Sequence, residues 1–154
     1  MELQIVEQAV AAASDKTCEG KVATYIPELG KADGSRVGVS VFSRSGERLS
    51  VGDTKARFSI QSISKVISLA VALELCGFDM VFQNVGMEPS GDAFNSMVKL
   101  EYAHSVPYNP MINAGAIVIA SYLARRISFE EMMRTSRSLC LDPDIVLDEN
   151  VYRS

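Results

Sequence analysis

The stretch Phe58-Ser59-Ile60-Gln61-Ser62-Ile63-Ser64-Lys65-Val66-Ile67-Ser68-Leu69-Ala70-Val71-Ala72-Leu73-Glu74-Leu75 decides how the rest of the chain is read. Apolar residues at 63, 66, 67, 69, 70, 71, 73 and 75 leave no polar face wide enough for a surface helix, so the pattern predicts a helix buried nearly all round. It is too short and too interrupted to span a bilayer. Lys65 is an oddity in that run, because a buried ammonium is costly unless it is paired or neutralised. Ser62 stands three residues upstream, one turn away on the same face, and directly before the apolar run. Helix N–H groups lack intrahelical partners at that point.

Two readings fit these residues. In the first, Ser62 caps the helix and Lys65 carries its charge out to water along an apolar stem. In the second, Ser62 is a nucleophile and Lys65, out of water, is the base that takes its proton, while free N–H groups at the helix start stabilise a tetrahedral oxyanion. That is the S-x-x-K logic of serine acyl-transfer enzymes. The spacing alone is weak, since it arises by chance in about every second chain of this size. Its place at the head of an apolar helix is what raises it above chance.

A chain of 154 residues is long enough for one domain with a real core, and its 47% hydrophobic and 22% charged content is that of a globular rather than a disordered chain. A net charge of −4 with no basic run argues against a nucleic-acid surface. The N-terminus, Met-Glu-Leu-Gln-Ile-Val-Glu-Gln, is acidic where a signal peptide needs basic residues. Cys18, Cys76 and Cys140 are widely spaced and His104 is the one histidine, so neither a zinc site nor another metal site is expected. Reduced thiols in a cytoplasmic protein are the expectation, with no membrane partner.

Outward from the central stretch, residues 3–13 carry Leu3, Ile5, Val6, Ala9 and Val10 on one stripe and predict an amphipathic helix. Gly20 to Ile26 reads as a short second helix stopped by Pro27. Val37, Val39 and Val41 alternate with small residues, Arg44-Ser45-Gly46-Glu47 makes a turn, and Leu49 and Val51 resume the alternation: a β-hairpin. Beyond Gly77, Phe78 to Phe82 suggests a helical turn and 87–92 a loop, while Met97, Val98 and Leu100 are too few to type. An irregular Pro107-Tyr108-Asn109-Pro110 leads into a second apolar helix, Met111 to Leu123, with Asn113 at its head as a cap or a functional group. Ser128-Phe129-Glu130-Glu131 opens another helix, in which Met132, Met133 and Leu139 are expected in the core, and Asp142-Pro143-Asp144 ends it. Residues 148–154 read as polar, without a packed terminal element.

Four blocks then combine: Lys21-Val22-Ala23-Thr24-Tyr25-Ile26-Pro27, Phe58 to Lys65, Glu88-Pro89-Ser90-Gly91-Asp92-Ala93-Phe94-Asn95, and Asn109-Pro110-Met111-Ile112-Asn113-Ala114-Gly115-Ala116. In that order they resemble the serine-dependent glutaminase family. The resemblance implies an α/β fold of the serine β-lactamase and penicillin-binding-protein type, an αβα sandwich with an inserted helical domain. It implies hydrolysis of L-glutamine to L-glutamate and ammonia without a metal or organic cofactor, and a homo-oligomer, dimer or tetramer. By position, Ser62 matches the family's nucleophile and Lys65 its base. Asn113 matches a substrate-binding asparagine, Tyr25 a tyrosine at the amino-acid end of the substrate, and Gln61 lines the same pocket.

The resemblance covers the N-terminal half of the family's pattern. Residues 1–75 would form the N-terminal part of the sandwich with the nucleophile helix, and 76–154 a helical region. An acidic residue, an asparagine, two tyrosines and the remaining strands would follow position 154. The expectation is therefore that residues 1–154 alone are inactive and poorly folded. Two alternatives stay open: a β-lactamase or penicillin-binding-like hydrolase of the same fold, and a non-catalytic half-domain that binds a partner.

Overall fold

Helix α1, Leu3–Ser14, buries Val6 and Val10, the i and i+4 positions of the apolar stripe, and leaves Leu3 and Ile5 exposed. It packs on a hairpin of β1, Gly38–Phe42, and β2, Arg48–Gly52. The two strands are antiparallel, with Val39 opposite Val51 and Val41 opposite Leu49, so the alternating apolar residues share one face. On the other face the Ser40 and Ser50 hydroxyls meet at 3.0 Å. Gly52 closes the hairpin with φ +77°, where a side chain would also strike the Val37 carbonyl. The computed structural model describes residues 3–89, 91 and 106–154. Met97, Val98, Leu100 and His104 lie outside them, as do Ser90 and residues 92–95 of the third block.

By compactness the chain falls into two units, Met1–Ser59 with Leu147–Ser154, and Ile60–Val146. This grouping differs from the division at residue 75 read from the sequence, which concerns the layers of a larger fold. In the first unit the expected helix over 20–26 is absent. Residues 21–24 are irregular, Ile26 is extended (φ −116°, ψ 121°), and Pro27 instead begins a 3-10 turn, Pro27–Lys31. A proline disfavours helical backbone in the residue before it and suits the first position of a turn. The chain's last residues do form a packed element. Helix α6, Glu149–Arg153, is capped by Asp148, whose Oδ1 accepts from Val151 N at 3.1 Å, and it lies beside the Pro27 turn. An Asp cap and a Glu149–Arg153 pair one turn apart are the local signals for it.

The second unit is helical. A 3-10 turn, Gln61–Ile63, runs into α2, Ser64–Cys76; α3, Phe78–Val81, follows after Gly77. Among the described residues, helices α4, Asn113–Ala124, and α5, Phe129–Cys140, follow. Val71, Ala72, Val81, Val85, Ile119 and Leu123 form the core, with Ile67, Leu73, Phe82 and Met132 packed against it. Ile119, Val81 and Val85 are fully buried, each worth about 1.5–3 kcal/mol relative to exposure.

Two expectations fail here. Helix α2 is not buried all round: α3, α4 and α5 cover one side, while Ile63, Val66 and Leu75 remain 58%, 59% and 45% exposed. Apolar composition invites burial, but a face is buried only where the chain supplies a partner for it. Leu139, in the last turn of α5, is likewise exposed rather than core; Met132 and Met133 are half-buried.

Candidate active site

The head of α2 is built by one unusual residue. Gln61 has φ +46°, a left-handed backbone that costs a side-chain-bearing residue about 1–2 kcal/mol. It turns an irregular approach, residues 56–60, into helix within one residue. The turn is closed by Ile63 N to Ile60 O at 2.9 Å and by the Ser64 N–H on the Gln61 carbonyl. Neither bond uses the N–H of Ser62. Neither the 3-10 turn nor α2 receives a side-chain cap, so the capping role open to Ser62 is not the one its hydroxyl plays. Ser62 is exposed, and Lys65 follows one helical turn later, half-buried.

Lys65 reaches across to α4. Its Nζ donates to Met111 O at 2.9 Å and to Asn113 Oδ1 at 2.7 Å. Asn113 is the first helical residue of α4 and does not cap it; Ile112 holds the cap position without a side-chain bond. The loop before α4 is instead tied by Asn109. Its Oδ1 accepts from Met111 N at 3.0 Å and Ile112 N at 3.2 Å, and its Nδ2 donates to Glu88 O at 2.8 Å. The same segment is paired to residues 86–88 by Gly86 N to Pro107 O at 2.7 Å and Glu88 N to Tyr108 O at 3.0 Å. Gly115, buried in the first turn of α4, lies so close to Asn109 that a Cβ there would run into the Asn109 carbonyl.

Both acceptors, Met111 O and Asn113 Oδ1, are neutral oxygens, which only the N–H bonds of the lysine can meet, so Lys65 is a donor to each.

Lys65 and Asn113 are thus in direct contact, and Ser62 and Gln61 stand one turn ahead on the same segment. Tyr25 belongs to the first unit, in the bend before the Pro27 turn, 72% exposed. Asn109 and the Met111 carbonyl were not singled out from the sequence. The available signal was Asn109-Pro110 four residues ahead of Asn113: an amide that can tie the next N–H groups, followed by a residue with none of its own. Among the described residues no group of three His, Cys, Asp or Glu side chains is arranged to hold a metal, and no helix is long and apolar enough to cross a membrane.

A sequence model of the family described as Glutaminase matches residues 20–154. The chain belongs to the glutaminase family. It is 49% identical over 140 residues to a glutaminase of Clostridium botulinum strain Hall, a match covering 88% of this chain and 46% of that one. A glutaminase of Salmonella arizonae is 45% identical over 138 residues, covering 88% and 45%. Among solved structures, a probable glutaminase, ybaS, is matched with a TM-score of 0.84 at 31% identity, over 100% of this chain and 52% of that one. A probable glutaminase from Bacillus subtilis complexed with 6-diazo-5-oxo-L-norleucine is matched at 0.79 and 31% identity, over 98% and 46%. The mixed α/β fold is accordingly that of the glutaminases, the serine β-lactamase-like type, and the chain spans about half the length of the relatives it matches.

Proposed function

We propose that this chain forms the nucleophile-bearing part of a glutaminase that hydrolyses the side-chain amide of L-glutamine to L-glutamate and ammonia. The observation that carries the reading is Lys65 Nζ held between Met111 O and Asn113 Oδ1, one turn beyond an uncapped Ser62. Ser62 Oγ attacks the amide carbon and its proton passes to Lys65. The Ser62 N–H, outside the bonds of its own turn, faces the charge that develops on the amide oxygen. The carbon–nitrogen bond then breaks, the amine takes the proton and ammonia leaves an ester on Ser62. Water, its proton taken by the same base, adds to that ester; glutamate departs and the serine proton is restored.

A Bacillus subtilis glutaminase, YbgJ, matched at TM-score 0.75 and 29% identity over 98% of this chain, forms a covalent complex with 5-oxo-L-norleucine on reaction with 6-diazo-5-oxo-L-norleucine. That reagent carries a ketone where glutamine has its side-chain amide, which supports a nucleophile in a glutamine-shaped pocket. The substrate-binding roles of Asn113, Tyr25 and Gln61, an L-glutamine partner, a homo-oligomer and a cytoplasmic setting belong to the same proposal.

The test is ammonia release by a full-length glutaminase that carries residues 1–154. Turnover of L-glutamine well above that of L-asparagine is expected, because a pocket that hydrogen-bonds its substrate penalises one that leaves those groups unpaired. Equal rates on both amides, or preference for a chromogenic cephalosporin, would contradict the proposal.

A further inference from the structure

The two acceptors that hold Lys65 sit on the same four-residue approach to α4, and that approach has a single organiser. Met111 O and Asn113 Oδ1 lie two and four residues beyond Asn109. Pro110, buried between Asn109 and Met111 in the chain, offers no N–H. The Asn109 amide instead uses both its ends: Oδ1 takes the N–H groups of Met111 and Ile112, and Nδ2 reaches Glu88 O on the neighbouring strand of chain. Its own carbonyl is pressed against Gly115 in the first turn of α4. Asn109 is thereby fixed from both sides.

We propose that Asn109 is a positioning residue for the Ser62–Lys65 chemistry. It touches neither reacting group, and this inference rests on the glutaminase reading of the site. Met111 donates its N–H to Asn109 and accepts from Lys65 through its carbonyl, so one peptide segment carries the constraint from Asn109 to the base. The Ile112 N–H, bonded to the same oxygen, precedes Asn113 directly and sets where α4 begins. Losing the Asn109 amide frees the 110–112 peptides to rotate and moves both acceptors of Lys65 together. Hydrogen-bond directions at a base decide where its lone pair points, and a misplacement of about 1 Å costs on the order of 10²-fold in rate.

The experiment compares Asn109→Ala, Asn109→Ser and Ser62→Ala in a full-length glutaminase carrying this chain, with kcat normalised to the folded fraction measured by circular dichroism. Asn109→Ala is expected to lower kcat on the order of 10²-fold with a much smaller change in KM. The rate of covalent labelling by 6-diazo-5-oxo-L-norleucine should fall in parallel, because both report the activation of Ser62. Asn109→Ser keeps a side-chain oxygen that can accept from the Met111 and Ile112 N–H groups and loses the bond to Glu88, so it should recover most of the rate. A merely structural residue would lower the folded fraction and leave kcat per folded molecule, and the labelling rate, unchanged; that result overturns the proposal. If Asn109→Ala does not fold, Asn109→Ser decides: near wild-type kcat supports the acceptor role, and a full 10²-fold loss in a folded protein refutes it. A wild type without glutaminase activity, or an active Ser62→Ala, overturns the reading of the site and this proposal with it. That outcome differs from a loss confined to position 109.

Discussion

Two helices of this protein begin beside a serine, and the two serines do opposite things. At the head of α5, Ser128 Oγ accepts from Glu131 N at 3.2 Å while Glu131 Oε2 accepts from Ser128 N at 2.7 Å and from Ser128 Oγ at 2.9 Å. Both side chains are engaged in closing the helix, a complete capping box. At the head of α2, the Ser62 side chain makes no cap bond. The turn is made instead by a left-handed Gln61, at a cost in backbone strain that Ser128 avoids. The asparagines divide in the same way: Asn109 ties the N–H groups ahead of α4, which leaves Asn113 to meet Lys65. A polar side chain at a helix start is a cap by default. What separates the second case is that the capping work is left undone or is done by a neighbour.

The sharpest way to break the contrast is to remove each hydroxyl in a full-length glutaminase. Ser62→Ala should abolish nearly all ammonia release and leave the melting temperature almost unmoved, since an exposed residue with no cap to lose shifts stability by no more than about 0.5 kcal/mol. A Ser62→Ala protein with wild-type turnover and normal circular dichroism would erase the distinction. Lys65→Ala should follow, with a loss of about 10³-fold in kcat as for other general bases. A loss of less than about tenfold would leave Lys65 as a tether between helices rather than a base. Asn113→Ala removes an acceptor of Lys65 as well as the proposed substrate contact, so it should lower kcat and also raise KM, the latter by about tenfold through a lost hydrogen bond to a charged group.

Ser128→Ala is the mirror experiment. It should cost about 1 kcal/mol, a few degrees in a thermal melt, with turnover unchanged. The smallest effect is on pH dependence. The Glu131 carboxyl is held below its ordinary value, first by the Ser128 N–H and then by the Ser128 hydroxyl. A carboxyl lowered in the folded state stabilises the protein above its unfolded value and loses that contribution as pH falls through the folded value. Stability should therefore decline as pH drops below about 4.5, and Glu131→Gln should flatten that decline in acid melts. An identical acid slope in the two proteins would remove the carboxylate from the cap.

How far the sequence could be read follows the range of the forces involved. The hairpin was legible because strand alternation and a Gly-containing turn are local signals, and the α5 cap because Ser128 and Glu131 stand in a spacing that is itself the mechanism. The helix expected at 20–26 was lost to Pro27 acting one residue back, a rule that competes with periodicity and wins at short length. The burial of α2 was overread, since residues such as Ile63 and Val66 need partners that a single helix cannot specify. At the site, Ser62, Lys65 and Asn113 were singled out by spacing and by the resemblance of their blocks, and the structure brings Lys65 to Asn113. The clamp of Met111 O and Asn109 was not, because a backbone carbonyl carries no sequence signature and Asn109 acts on the lysine through the Lys65–Met111 bond, which joins residues 46 apart.

The central claim is that Ser62, not another residue, makes the bond to substrate. Treating a full-length glutaminase carrying this chain with 6-diazo-5-oxo-L-norleucine, then mapping the adduct by peptide mass spectrometry, tests it most directly. The account predicts one adduct of the reagent less dinitrogen, on the peptide containing Ser62, and none in Ser62→Ala. An adduct on any other residue, or undiminished labelling of Ser62→Ala, would contradict it.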